Sequence, residues 1–250
     1  MSKAGELRVL PVAGLPEIDA GDRLGELIAA RAELEDGDVV VISQKVVSKT
    51  EGRVVHLSAV KPSERAAQLA ADLKKDPALV QLVLDESSEV LRAEHGVLIC
   101  ETRHGLVCAN AGVDTSNVGE GRAALLPLDP DASARRIRGE LRAASGVPAA
   151  VVVSDSFGRA WRQGQSEVAI GCAGLRPLDD WRGREDAIGK KLSATVIAVA
   201  DEAAAAADLV RDKASRVPAA IVRGMERGIS EDDGPGAAAL RRPRGEDLFR

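Results

Sequence analysis

The sequence predicts an α+β fold with two interwoven subdomains and neither a P-loop nor a Rossmann unit. Three observations predict it: short β-branched runs recur along the chain, helical segments fall between them without strict strand-helix alternation, and no Gly-, Ser- or Pro-rich linker divides the chain before residue 226. A second subdomain must therefore be woven into the first. With 250 residues, 45% hydrophobic and 29% charged, the chain is large enough to bury a core without disulfide staples.

The elements follow in order. Runs 7–12 and 38–43 (DVVVIS) read as strands, and 23–34 has helical spacing at Leu24, Leu27, Ile28 and Leu34. Ser63 is an N-cap ahead of Ala66, Leu69, Ala70 and Leu73, and Asp76-Pro77 ends that helix. Residues 97–109 form two apolar runs around an Arg103-His104-Gly105 turn, as a hairpin does. A helix over 131–145 closes at Gly146 and Pro148, and AAVVVSD reads as a buried strand with Ser154-Asp155 as its polar tip. Stretches 167–173 and 195–199 are further strands, 201–211 is an Ala-rich helix with carboxylates in its first turn, and PAAIVRG is the last strand. Residues 226–250 lack periodicity and read as a loop or peripheral arm of a single 1–250 domain.

Composition excludes several classes. Aromatic residues are 2% of the chain and Tyr is absent, so stacking platforms for single-stranded bases are missing, and a net charge of -5 argues against a phosphate-tracking surface. Cys100, Cys108 and Cys172 are odd in number and lack metal-ligand spacing, which suits buried free thiols in a reducing compartment. The first ten residues, with Lys3, Glu6 and Arg8, show no signal-peptide run. The uncharged stretch 143–154 is far short of the roughly 20 residues of a membrane helix. The expectation is a cytoplasmic protein with no nucleic-acid or membrane partner.

No Walker A, dinucleotide-binding, nucleophile-elbow, HExxH or CxxC pattern occurs, and His56, His95 and His104 lie beside no obvious nucleophile. Chemistry must come from carboxylates, amides and cations. Two polar tips follow strands, NAGVDTSN (110–117) and SDSFGRAWRQGQ (154–165). Asp114 with Asn117, and Asp155 with Ser156, suit a hard divalent cation and its phosphate ligands, but strand-end aspartates also cap helices or close Asx turns. Arg159, Trp161, Arg162, Gln163 and Gln165 crowd beside Gly158 and Gly164, a mixture that turn chemistry alone does not require. Guanidinium forks bind phosphate or carboxylate, and Trp161 is either a water shield or the edge of a core. Lys45, Lys49 and Arg53 follow a buried strand at spacing four, as a solvated charged face or as an anion site.

Taken together, GLPEI with Gly21-Asp22, SQKVVSKTEGR, GVDTSN, SDSFGRAWRQGQSEVAIG, LDDWRGREDAIGKKL, DEAAAAADLVRDKA with PAAIVRG, and the terminal EDLFR resemble the coenzyme F420-0:L-glutamate ligases, or F420 gamma-glutamyl ligases, along nearly the whole chain. The resemblance implies a mixed α and β fold peculiar to that family and an intertwined homodimer. It implies GTP-dependent addition of L-glutamate to F420-0 through an acyl phosphate, with release of GDP and phosphate, and then further gamma-linked glutamate. Two divalent cations, Mg2+ or Mn2+, are implied, with K+ as an optional further ion.

Carried over by position, Leu15, Pro16, Glu17, Ile18, Ser43, Gln44, Lys49 and Asn117 would line the nucleotide site. Asp114, Asp155 and Ser156 would hold the metals. Lys49 would assist phosphoryl transfer, and Arg159 and Arg162 would clamp carboxylates of glutamate or of the acceptor. Two departures stand out: Arg211-Asp212-Lys213 replaces a glycine-containing turn, and Gln44 stands where Ser or Thr is common in the family. The same activation chemistry is open to a ligase for another carboxylate acceptor, and a non-catalytic GTP-binding regulator is the alternative of a different class.

Overall fold

The computed structural model describes residues 5–225 and 227–247. In chain order the elements are β1 (Arg8–Pro11), α1 (Leu24–Ala29), β2 (Val39–Ser43), α2 (Gln44–Thr50), β3 (Val54–His56), α3 (Glu64–Leu73), α4 (Pro77–Glu86), β4 (Ser87–Glu94), β5 (Val97–Thr102), β6 (Val107–Ala109) and β7 (Arg122–Ala124). There follow α5 (Pro130–Ser145), β8 (Ala150–Arg159), β9 (Arg162–Ala173), β10 (Asp179–Asp180), β11 (Val196–Ile197), α6 (Val199–Asp208) and β12 (Ala219–Arg223). The α+β class is thus observed.

The main sheet has the order β1-β12-β2-β8-β9. Only β2 and β8 run parallel within it, with Ser43 opposite Ser154; β1-β12, β12-β2 and β8-β9 are antiparallel. Because side chains alternate across a strand, β2 and β8 feed two cores. Val40, Ile42, Val151 and Val153 pack with Leu24 and Ile28 of α1 and Ile137 and Leu141 of α5. Val39, Val41, Ala150 and Val152 pack with Ala200, Ala203, Ala204 and Ala207 of α6. Fully burying each valine or isoleucine contributes about 1.5–3 kcal/mol. This explains why both strands read as continuous apolar runs rather than alternating ones.

Close approach fixes the helices. A Cβ on Gly25 would lie 2.5 Å from Glu140 Cβ and 2.6 Å from the Ile137 carbonyl oxygen, so only glycine lets α1 meet α5. Glu140 Oε2 accepts the Gly25 N–H at 2.9 Å there. Likewise a Cβ on Gly171 would fall 2.2 Å from the Pro130 carbonyl oxygen, which seats β9 against the start of α5.

A second unit lies between β2 and α5 in sequence. It consists of α3, α4, the β4-β5-β6 sheet and the β3-β7 pair, built around Ala66, Ala70, Val80, Val83, Leu98 and Cys100. The hairpin expected over 97–109 is present as β5 and β6. Ser63 caps α3 as read, its Oγ accepting the Ala66 N–H at 3.2 Å. Asp76-Pro77 ends that run but also opens α4, with the Asp76 side chain accepting the Ala78 N–H and Pro77 in the first turn. Helix α4 and strand β4 were not expected, because the mixed apolar and polar run from Leu79 to Glu94 has neither clean period.

Three boundaries also move. The helix expected over 23–34 is confined to Leu24–Ala29, and the Ala-rich helix shifts to Val199–Asp208. The polar tip expected to follow the strand over 154–165 is itself largely strand, since β8 and β9 pair from Asp155↔Val168 out to Arg159↔Arg162. Trp161 turns the tip of this hairpin at φ 59° and is 81% exposed, so it edges no core.

Residues 227–247 are irregular apart from short 3-10 turns, yet they are fastened: Asp131 accepts the N–H groups of Ala237 and Ala238, and Arg138 Nη1 donates to Asp233 Oδ1 at 2.8 Å. Of the expected terminal motif, Leu248, Phe249 and Arg250 lie outside the described residues, as do Met1, Ser2, Lys3, Ala4 and Glu226. No helix among the described residues is long and apolar enough to cross a membrane.

Burial pushes the thiols of Cys108 and Cys172 up to about 12 and also raises that of Cys100. All three are buried and unpaired. Native protein at pH 8 is therefore expected to react negligibly with an aromatic disulfide reagent, releasing three equivalents only on denaturation. Rapid native reaction of any of them contradicts this packing.

Candidate active site

The parallel pair β2-β8 brings two buried strands to one edge of the sheet, and a cavity of about 830 Å³ opens there. Beyond Ser43 the chain turns into α2, which supplies Gln44, Lys45 and Lys49; beyond Ser154 it continues as Asp155, Ser156 and Phe157. Leu15–Ile18 form one rim, 108–117 a wall reached from β6, and the segment from Asp208 to Pro218 the opposite wall. Gln165 and Glu167 of β9 complete the floor.

Opposite charges meet across this space. Lys45 Nζ donates to Asp114 Oδ2 at 2.7 Å and to the carbonyl and hydroxyl oxygens of Ser116 at 2.7 and 2.6 Å. Asp114 Oδ1 also accepts the Ser116 N–H at 2.8 Å, so it closes an Asx turn while facing the cavity. Burial alone would raise the Asp114 carboxyl, but hydrogen bonds from Lys45 and Ser116 outweigh it and hold the group below its ordinary value. Lys49 Nζ is bonded to Glu17 at the rim.

No ion pair to Asp155 forms among the described residues, and the nearby charge of Lys45 is outweighed. Burial first, then repulsion from Glu167 and Asp114, pushes its carboxyl up to about 7. It caps no helix: it lies inside β8, paired with Val168. Beneath it Glu167, 6% exposed, accepts hydroxyl donors from Ser154 and Ser156 at 2.6 and 2.5 Å and Arg211 Nη2 at 3.3 Å. Lys213 Nζ donates to Ser156 Oγ at 2.7 Å.

No three of His, Cys, Asp and Glu among the described residues form a compact metal-ligand cluster. The donor set is instead carboxylates and hydroxyls facing an open cavity, which suits a Mg2+-like ion that takes one or two protein carboxylates and fills its shell with phosphate and water. Two buried atoms on the walls, Asn110 Oδ1 and Arg211 Nε, have no hydrogen-bond partner among the described residues.

The model of the F420-0:Gamma-glutamyl ligase family matches residues 14–224, a span that contains every residue lining the cavity. The chain belongs to this family. It is 46% identical over 250 residues to the coenzyme F420:L-glutamate ligase of Methanothermobacter thermautotrophicus, covering 98% of this chain and 99% of that protein. It is 43% identical over 246 residues to that of Methanopyrus kandleri, covering 98% of each chain. Against that of Archaeoglobus fulgidus the identity is 45% over 220 residues, with 88% of each chain covered.

In this member of the F420-0:gamma-glutamyl ligase family, Leu15, Pro16, Glu17, Ile18, Ser43, Gln44, Lys49, Asp114, Asn117, Asp155 and Ser156 all line the one cavity. Gln44 is 2% exposed and its Oε1 accepts the Ser48 hydroxyl at 2.8 Å. Arg159 and Arg162 do not join them: they sit at the exposed hairpin tip, where Arg159 Nη2 donates to the Gln163 carbonyl at 2.9 Å. Of the trio Lys45, Lys49 and Arg53, the last turns away to Glu86 and the Leu126 carbonyl. Glu167 and Arg211 carry the floor's charge pairing but received no role from the sequence. Their only local signal is a charge at the edge of an apolar run, in QSEVAIG and DLVRD.

The folded Asp155 carboxyl keeps its proton to about pH 7, whereas an unfolded one loses it near about 4. A raised carboxyl contributes stability fully below the unfolded value and loses it as pH climbs through the folded one. In EDTA, Asp155→Asn is therefore expected to raise Tm at pH 8 relative to wild type and to change it little at pH 4. A Tm lowered at pH 8 in scanning calorimetry contradicts this reading.

Proposed function

We propose that this chain joins L-glutamate to a carboxylate of coenzyme F420-0 with GTP as phosphoryl donor, and then extends the product through gamma-linked glutamate. The carrying observation is the cavity at the β2-β8 edge, where Asp114, Asp155 and Ser156 face Lys45, Lys49 and Lys213. Family membership and relatives named coenzyme F420:L-glutamate ligase support the acceptor and the amino acid.

A carboxylate resists attack by an amine. Bonding its oxygen to the γ-phosphorus of GTP, with cleavage of the bond to the bridging oxygen of GDP, yields an acyl phosphate. The glutamate nitrogen then bonds to the acyl carbon as the carbon–oxygen bond to phosphate breaks, leaving an amide, phosphate and a released proton. Asp114, Asp155 and Ser156 would hold two divalent cations, Mg2+ or Mn2+. When bound, those ions neutralise charge on phosphoryl oxygens. Lys49, oriented by Glu17, offers its ammonium to a phosphate oxygen at the rim. Leu15–Ile18, Ser43, Gln44 and Asn117 supply the walls for the nucleotide. The apolar side chains of Val46, Phe157 and Val217 limit water that would hydrolyse the acyl phosphate.

Mass spectrometry of F420-0 incubated with the protein, GTP, Mn2+ and L-glutamate is expected to show successive additions of one glutamyl unit, with ATP a poorer donor. An unchanged acceptor mass overturns the proposal. Asp155→Asn removes a charge at constant size and is expected to lower ligation by about two orders of magnitude or more; ligation within a few-fold of wild type removes Asp155 from the cation site. We further propose a cytoplasmic homodimer; three unpaired buried thiols support the reducing compartment. Light scattering is expected to give twice the 26.1 kDa chain mass; a monomer at micromolar concentration contradicts it.

A further inference from the structure

Glu167 lies on β9 directly opposite Ser156 of β8. Its two oxygens have different partners. Oε2 accepts the Ser154 hydroxyl at 2.6 Å and Arg211 Nη2 at 3.3 Å, while Oε1 accepts the Ser156 hydroxyl at 2.5 Å. A hydroxyl carries a single proton and two lone pairs. With the Ser156 proton committed to Glu167, its lone pairs are left for other partners, and Lys213 Nζ reaches this oxygen at 2.7 Å.

Arg211, 7% exposed, also donates to Ser154 Oγ at 3.1 Å and to the Pro218 carbonyl at 3.4 Å. One guanidinium thus ties the wall formed by the segment from Asp208 to Pro218 to the floor of the sheet. Stability alone gives no reason for this arrangement, since apolar side chains of similar volume serve a core as well as a buried ion pair does.

We propose that Glu167 is a positioning residue for ligation: it orients the Ser156 hydroxyl so that its lone pairs face the cavity, and through Arg211 it holds the Arg211-Asp212-Lys213 segment at the wall. This rests on reading the cavity as the ligation site. Glu167 acts on the reacting groups through Ser156, on which Lys213 of the wall segment also converges. Its loss therefore matters chiefly where Ser156 is present.

The test is a double-mutant cycle on the full chain, with kcat, KM and Tm measured for wild type, Glu167→Gln, Ser156→Ala and the double variant, at a temperature where circular dichroism shows each folded. The expected result is a fall in kcat of about tenfold or more for Glu167→Gln in the wild-type background, shrinking to about twofold or less in the Ser156→Ala background, with KM for L-glutamate unchanged. Equal losses in both backgrounds, or a lowered Tm with wild-type kcat, overturn the proposal and leave the site reading standing. Wild-type kcat in Ser156→Ala overturns the site reading and the proposal with it. If Glu167→Gln does not fold, Glu167→Asp replaces it in the same cycle. That variant keeps the charge beside Arg211 but withdraws the oxygens by one methylene, and a wild-type kcat in it likewise overturns the proposal.

Discussion

The parallel pairing of β2 with β8 is the constraint on which the rest of the molecule depends. The two strands are buried on both faces, so neither can slip by a residue without exchanging Val40 and Ile42 for Val39 and Val41 between two different cores. That register sets Ser43 beside Ser154. Everything downstream follows from chain direction: parallel strands end at the same edge, so the residues after Ser43 and those after Ser154 emerge side by side. Helix α2 and the polar half of β8 share a cavity for that reason, although about a hundred residues of helices and sheets separate them in sequence.

The charges divide between rigid and reachable parts of the fold. Asp155 and Glu167 stand on paired strands, and burial together with their mutual repulsion raises the Asp155 carboxyl to about 7. Lys213 and Arg211 come from an irregular segment beyond α6, and Lys45 from the first turn of α2. The carboxylates are therefore fixed in space by backbone pairing. The lysines reach the site along flexible stems, which suits a point charge that tracks phosphate oxygens. A net negative protein can in this way bind polyanionic substrates through a local balance rather than through a basic surface.

Much of this was legible in the sequence, and the exceptions share a cause. β2, β8, β12 and the 97–109 hairpin announce themselves because continuous β-branched runs and turn residues are local signals. GLPEI, SQKVVSK, GVDTSN and SDS meet at one cavity because each follows or flanks such a strand. The polar half of the β8-β9 hairpin reads from the sequence as a tip beyond the strand, since it lacks the β-branched run that marks β8; cross-strand pairing extends the strands through it. Asp114 closes the Asx turn offered for it and also lines the cavity, whereas Asp155 caps no helix and lies within β8. Arg53 and Lys49 look alike four residues apart. Arg53 lies beyond the end of α2, and its guanidinium is taken up by Glu86.

What the sequence withheld was partnership. Lys45 meets Asp114 across 69 positions, Lys213 meets Ser156 across 57, and Arg211 meets Glu167 across 44. No window of the length of a helix or hairpin contains these pairs, so no local pattern can reveal them. The same separation has a physical consequence. Loop closure must be complete before any of these contacts forms, so the charge pairs that join distant segments exist only when the whole sheet exists. A local defect in β2-β8 register would then remove the cavity's charge pairing as a unit, and partial assembly would leave buried carboxylates without their cations. Because an unpaired buried charge is strongly unfavourable, the chain couples completion of its active site to completion of its core.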